Sequence, residues 1–116
     1  MITQKSNLNM IPSGTPVKVY CDQGDKNLRE LCFTLMKDSN LYLPEMGATA
    51  TVEGTKPDGG TFSHTAELTG SNATVTLYED MADVAGDTLM QVVLHEGDNR
   101  TGSQMIILSV QRSAYI

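Results

Sequence analysis

The sequence predicts an all-β domain, a sandwich or a barrel of seven or eight short strands with a single helical corner. Three observations carry this. Apolar and polar residues alternate with period two in segment after segment. Turn chemistry recurs about every 8–12 residues, most sharply in Lys56-Pro57-Asp58-Gly59-Gly60. Only residues 79–84, Glu-Asp-Met-Ala-Asp-Val, look helical, and a run of roughly one turn does not stand as an independent helix.

Residues 1–15 read as a polar N-terminal arm in which Leu8, Met10 and Ile11 fit a short edge strand. Pro12-Ser13-Gly14-Thr15-Pro16 then breaks the chain, so the arm folds onto the domain or swaps onto a neighbour. The β-domain follows over 16–112, and 113–116 reads as an exit tail toward a further segment. Residues 17–36 have the order strand, polar turn, strand, which predicts a hairpin. Val17, Val19 and Cys21 alternate with Lys18, Tyr20 and Asp22. After the turn Gln23-Gly24-Asp25-Lys26-Asn27, Leu31, Phe33 and Leu35 point one way and Glu30, Cys32, Thr34 and Met36 the other. Lys37-Asp38-Ser39-Asn40 is the next turn, and Leu41, Leu43 and Met46 make an apolar connection around Pro44.

Ala48, Ala50 and Val52 begin a third strand. In the turn after it, Pro57 presets φ, Asp58 caps, and the two glycines accept positive φ. Phe62, His64, Ala66 and Leu68 line one face of the returning strand, Thr69-Gly70-Ser71-Asn72 turns again, and Ala73, Val75 and Leu77 form a fifth strand. Residues 79–84 then carry the chain from one sheet to the other, with Gly86 ending the corner. Residues 88–95 and 104–111 are the last two strands, joined by the Gly97-Asp98-Asn99 region.

Those two strands differ from the others. Met90, Val92 and Leu94 alternate with Leu89, Gln91, Val93 and His95, and Ile106, Leu108 and Val110 alternate with Met105 and Ile107. An antiparallel strand that is apolar on both faces is covered on both faces. The cover is either the N-terminal arm, or the 41–46 segment, or a subunit interface at Leu89, Val93, Met105 and Ile107.

Bulk composition bounds the function. With 116 residues and 40% hydrophobic content the chain has the size and apolarity of one globular domain. There is no Trp, so the core rests on Val, Leu, Ile, Met and Ala. A net charge of -6 argues against nucleic acid and against an anionic membrane surface as partners. The N-terminus has no apolar run of signal-peptide length, and no stretch approaches the ~20 apolar residues of a membrane span. Cys21 and Cys32 form no Cys-x-x-Cys and no framework. A bridge across the expected hairpin is geometrically conceivable, but alternation puts Cys32 on the face away from the core. Free thiols made in a reducing compartment are the expectation.

No catalytic constellation emerges. His64 and His95 lack metal-ligand spacing, and no Ser sits in a nucleophile elbow. Glu79, Asp80, Asp83 and Asp87 lack the alternating spacing of a calcium loop and suit a solvated corner. No cofactor and no small-molecule substrate is expected. A histidine lying beyond ~10 Å from any Ser or acid would have no part in acid–base chemistry. A sugar-binding surface needs an exposed aromatic platform, for which only Tyr20, Tyr42, Tyr78, Tyr115, Phe33 and Phe62 are on offer.

Taken in order, Gln23-Gly24-Asp25, Leu31-Cys32-Phe33, Gly47-Ala48-Thr49-Ala50-Thr51-Val52, Lys56-Pro57-Asp58-Gly59 and the Ala85-Gly86 corner form a series. Over residues 14–112 this series resembles the N-terminal domain of phage baseplate upper proteins, found in tailed phages and prophages of Gram-positive bacteria. The chain departs from the family pattern at Leu43-Pro44-Glu45-Met46-Gly47, where members show Leu-Thr-Gly. The resemblance implies an immunoglobulin-like antiparallel β-sandwich without catalysis, made in the host cytoplasm and placed in the virion tail. It implies docking to other phage tail proteins, or to further copies of itself, and support of the host-adsorption apparatus. The alternative reading is a carbohydrate- or cell-surface-binding module.

Overall fold

A computed structural model describes residues 1–12 and 14–115. Ser13 of the chain break and Ile116 of the expected tail lie outside the described residues. The elements in order are β1 (Ile2–Asn9), β2 (Val17–Asp22), β3 (Arg29–Lys37), β4 (Asn40–Leu41), β5 (Thr49–Thr55), β6 (Thr61–Thr69), β7 (Asn72–Thr76), a 3₁₀ turn (Glu79–Met81), β8 (Gly86–Glu96), β9 (Asn99–Gly102) and β10 (Ile106–Gln111). The fold is all-β, with the helical corner where the sequence places it.

The strands form one mixed sheet in the order β1-β3-β7-β6-β5-β8-β10-β2, with β4 beside β3 and β9 beside β8. The two ends of this order meet again. The Gln4 side chain of β1 donates from Nε2 to the Tyr20 carbonyl of β2 at 3.0 Å. The sheet is therefore nearly closed into a barrel, and a side chain rather than a strand ladder spans its seam.

Two expectations need correction. The 17–36 segment is not a hairpin. β2 pairs in parallel with β10, Val17 opposite Ile106 and Asp22 opposite Gln111. β3 pairs in parallel with β1 and antiparallel with β7. The turn between β2 and β3 carries the chain across the barrel instead of back along itself. Asp25 organises it, accepting from the Asp22 amide at 2.8 Å and from Arg29 Nε at 2.6 Å. Asn27 adopts φ 65° and its amide is fixed to the Leu77 carbonyl at 2.9 Å. The sheet also differs from an antiparallel immunoglobulin-like sandwich. Two of its pairings are parallel, and β6 is shared, pairing with β5 as far as Ala66 and with β7 from Glu67 onward. One bent sheet takes the place of two separate ones.

The core follows from alternation. Leu31, Phe33 and Leu35 of β3 meet Val52, Met90, Val92, Ile106 and Leu108 of the opposite wall, all buried. Burying each such side chain stabilises by roughly 1.5–3 kcal/mol before ordering costs. The arm folds onto the domain as β1, with Leu8 buried in the same cluster. Gln104 ties down the crossover that follows β1. Its Oε1 accepts from the Asn9 amide at 2.7 Å, and its Nε2 donates to the Thr15 carbonyl at 3.1 Å.

Register assigns the connections to two ends. The β2–β3 turn, the β5–β6 hairpin and the 3₁₀ corner lie at the lower end. The loop between β4 and β5 and the β8–β9 hairpin lie at the upper end. In the β5–β6 hairpin the Lys56 amide donates to the Gly60 carbonyl at 2.8 Å, the Gly60 amide donates to Asp58 Oδ1 at 2.9 Å, and Gly59 takes φ 88°. That is the turn its sequence specifies.

Candidate interaction surface

The candidate surface is the outer face of the wall built from β5, β8, β9 and β10. Along β8, Leu89, Gln91, Val93 and His95 point outward, away from the core set Met90, Val92 and Leu94. Leu89 faces Thr55 on β5 and Ile107 on β10, and Val93 faces Thr51 on β5 and Gly102 on β9.

Of the four apolar residues expected there, Leu89 is 48% exposed and Met105 38%. Ile107 is half-buried, and Val93 is completely buried. The N-terminal arm does not cover this face, since β1 lies in the opposite wall, and Leu41, Leu43 and Met46 are themselves exposed. Val93 is sealed by its own neighbours. Thr51 Oγ1 donates to Glu53 Oε2 at 2.8 Å and lies 3.3 Å from His95 Nε2. Arg100 Nη2 reaches Glu53 Oε1 at 3.8 Å, and Gln91 Nε2 donates to the Ser103 carbonyl at 2.8 Å. Gly102 leaves room for the Gln91 amide, whose Nε2 lies 3.2 Å from where a Cβ would be. A polar canopy thus closes over one apolar residue. Sequence reasoning missed Thr51, Glu53 and Arg100 because they come from other strands, and only the cross-strand register brings them together.

Below the canopy, toward the lower end, Leu89 and Met105 border an open groove of about 650 Å³ with Glu53, Thr55, Ser63 and Gln91 on its walls. Its floor depends on Gly54. A Cβ there would stand 2.5 Å from Phe62 Cζ and 2.9 Å from the Leu89 carbonyl oxygen, so any side chain at this position must displace one or both.

The remaining chemical candidates take structural places. His64 Nε2 lies 2.7 Å from Asp80 Oδ1, and its ring lies 4.5 Å from that of Tyr78. This pair pins the 3₁₀ corner onto β6. His95 lies 4.0 Å from Glu53. Both histidines therefore have a carboxylate well within the ~10 Å limit set above. Lys56 Nζ donates to Asp83 at 3.0 Å, and this hydrogen bond holds the ammonium above its ordinary range. Cys21 and Cys32 are free thiols, Cys21 in the core and Cys32 half-buried on the other side of β3. Burial, with the nearby Asp25 carboxylate adding to it, pushes the Cys21 thiol up to about 12, so it carries no thiolate near neutral pH. Among the described residues no group of three His, Cys, Asp or Glu side chains is placed to hold a metal ion. No helix among them is long and apolar enough to cross a membrane. Tyr20 and Tyr115 are exposed on separate elements, and Tyr78 is turned onto His64.

No family model matches the sequence, and no curated protein matches it. Among solved structures the chain is similar to the N-terminal domain of phage TP901-1 ORF48. The TM-score is 0.70 and the identity 10%, and the likeness covers 96% of this chain and 99% of that one. At this identity the likeness is one of fold. It runs essentially from end to end of both chains, and it is to a phage domain, the kind of domain that the ordered turn series of the sequence resembles.

Proposed function

We propose that the chain is a non-catalytic structural module of a phage tail baseplate, which docks to the tail and supports the host-adsorption apparatus. The observation that carries this reading is the end-to-end fold likeness to a phage N-terminal domain, arrived at independently of the turn series in the sequence. The outer wall supplies a docking surface of suitable character. Leu89 and Met105 are exposed, Ile107 lies half-covered between them, and the Glu53–Arg100 canopy forms a polar border. An apolar centre with a polar rim is the usual anatomy of a protein–protein contact. Val93 serves the surface from beneath, as the support of the canopy. The immunoglobulin-like description, in this reading, extends to strand content and not to the pairing order.

The test has two arms. Virions of the parent phage are fractionated and probed for this chain, which is expected in the tail fraction. The purified domain is then offered to the tail proteins, singly, as wild type and as Leu89→Glu and Met105→Glu. Capture by one tail protein that both substitutions abolish is the expected result. A chain absent from virions would remove the baseplate assignment. Capture untouched by both substitutions would remove only the outer wall. Binding of host wall polysaccharide by the isolated domain would favour the carbohydrate-binding alternative instead.

A further inference from the structure

We propose that copies of this chain associate head to tail, the β4–β5 loop of one copy seating in an apolar hollow at the lower end of the next. The loop is a built projection. β4 holds its start against β3, with Leu41 opposite Met36, and the Tyr42 amide donates to the Leu35 carbonyl at 2.9 Å. Tyr42 packs inward on the core, so Leu41 and Leu43 on either side of it must point outward, and Leu43 is 69% exposed. At the tip the Ala48 amide donates to the Glu45 carbonyl at 3.0 Å, and Gly47 takes φ 87°. This tight turn holds Met46 fully in solvent. Three large apolar side chains are thus fixed outward where a pliant loop would fold them away.

The opposite end of the molecule is concave. A hollow of about 380 Å³ is lined by Ile2, Gly24, Asp25, Lys26, Leu28 and Arg29. Ile2 is 55% exposed and Leu28 71%, and the Ile2 amide donates to the Leu28 carbonyl at 2.8 Å, which fixes the two apolar residues side by side. Charge selects the occupant. The projecting loop carries an exposed Glu45 between its apolar residues, and the hollow carries Lys26. Lys26 is held only loosely by Glu79, at 3.8 Å with both side chains mostly exposed, so it is available to a new carboxylate. Projection and hollow lie on the same chain at opposite ends, so a second copy is the occupant that supplies both. Such a contact is heterologous, so it propagates into a ring or an open chain according to the rotation between copies. It uses neither Leu89 nor Met105 and stands apart from the outer wall.

Sedimentation of the full chain over a concentration series tests this. The wild type is expected to rise above its monomer mass of 12.6 kDa. A loop variant, Leu43→Glu with Met46→Glu, and a hollow variant, Leu28→Glu, each weaken association by at least about tenfold. All three positions are exposed, and unchanged circular dichroism confirms that each variant folds. Mixed one to one, the two variants share one intact loop and one intact hollow, so they form a dimer and stop there. The charge swap gives a second readout. Glu45→Lys and Lys26→Glu each weaken association, and their combination in one chain restores it. A wild type that stays monomeric throughout, variants that assemble as well as the wild type, or a mixture that yields no dimer would each overturn the proposal. So would a loss confined to the hollow variant, which would mean that another segment fills the hollow.

Discussion

β3 and β8 are both central strands, yet they keep water out in different ways. β3 buries Leu31, Phe33 and Leu35 on one face and leaves Cys32, Thr34 and Met36 half-covered on the other. β8 buries Met90, Val92 and Leu94 inward and Val93 outward as well. The difference lies in the neighbours. The outward residues of β3 meet short polar partners, such as Asn72 at 2.8 Å from Thr34 Oγ1. On β8, Val93 lies under a canopy of Thr51, Glu53 and Arg100 from neighbouring strands and His95 from its own. An apolar residue on the outer face therefore has two different meanings. Leu89 is available to a partner, and Val93, four residues on, is already spoken for by its own sheet.

The sharpest way to break this contrast is Val93→Asp. A carboxylate beneath the canopy should cost on the order of 4 kcal/mol or prevent folding, while Leu89→Asp stays within about 0.5 kcal/mol of the wild type. Urea denaturation reads both, and equal tolerance at the two positions would sink the idea of a sealed Val93. Next in size is Phe33→Ala, expected to destabilise by about 3–5 kcal/mol, with Thr34→Ala on the opposite face of β3 costing about 1 kcal/mol. Gly54→Ala should cost roughly 1–3 kcal/mol, because the new methyl must displace both the Phe62 ring and the Leu89 carbonyl. A cost near zero would show that the groove floor relaxes freely.

The smallest effect at neutral pH comes from titration. Cys21 keeps its proton in the fold up to about 12, whereas the unfolded thiol begins to lose it near 9.0. The unfolded state then binds fewer protons than the fold, so stability falls as pH rises from 9.0 toward 12. Lys56, raised by its hydrogen bond to Asp83, acts in the same sense. Its contribution is complete below the ordinary lysine value of 10.5 and disappears above the raised one. Melting temperatures from pH 8 to 11 should therefore decline (a range of roughly three pH units), and Cys21→Ala should lessen that slope. An unchanged slope in Cys21→Ala would put the source elsewhere.

Local order was legible in the sequence and partnership was not. Alternation placed Cys32 opposite Leu31, Phe33 and Leu35, and both halves of that statement hold. Lys56-Pro57-Asp58-Gly59-Gly60 forms its hairpin because each residue carries its own backbone preference. The 79–84 corner, the inward face of β6 and the unpaired cysteines were equally readable. The 23–27 turn has the same polar, Gly-containing look and does something else. Its outcome depends on Asp25 reaching Arg29 and on Asn27 meeting Leu77, contacts that period-two patterning does not encode. Parallel pairs leave no local mark at all, since no short turn joins β2 to β10. Strand number and spacing left sandwich and barrel open, and the choice between them lies in those two parallel pairings. On the candidate surface the apolar residues were readable, but the fate of Val93 was not, because its cover comes from positions distant in the chain.

The pairing of β2 with β10 also sets a timetable. β2 leaves the ribosome well before β10, and among the described residues β10 is its only ladder partner. Until residues 106–111 emerge, β2 has no neighbour to saturate its backbone, and β1 has only β3. Closure thus waits for β10 and brings together strands separated by some of the longest stretches of the described chain, a slow step by loop-closure entropy. During that wait the nascent chain exposes open strand edges, the surfaces through which unfinished β-domains associate wrongly.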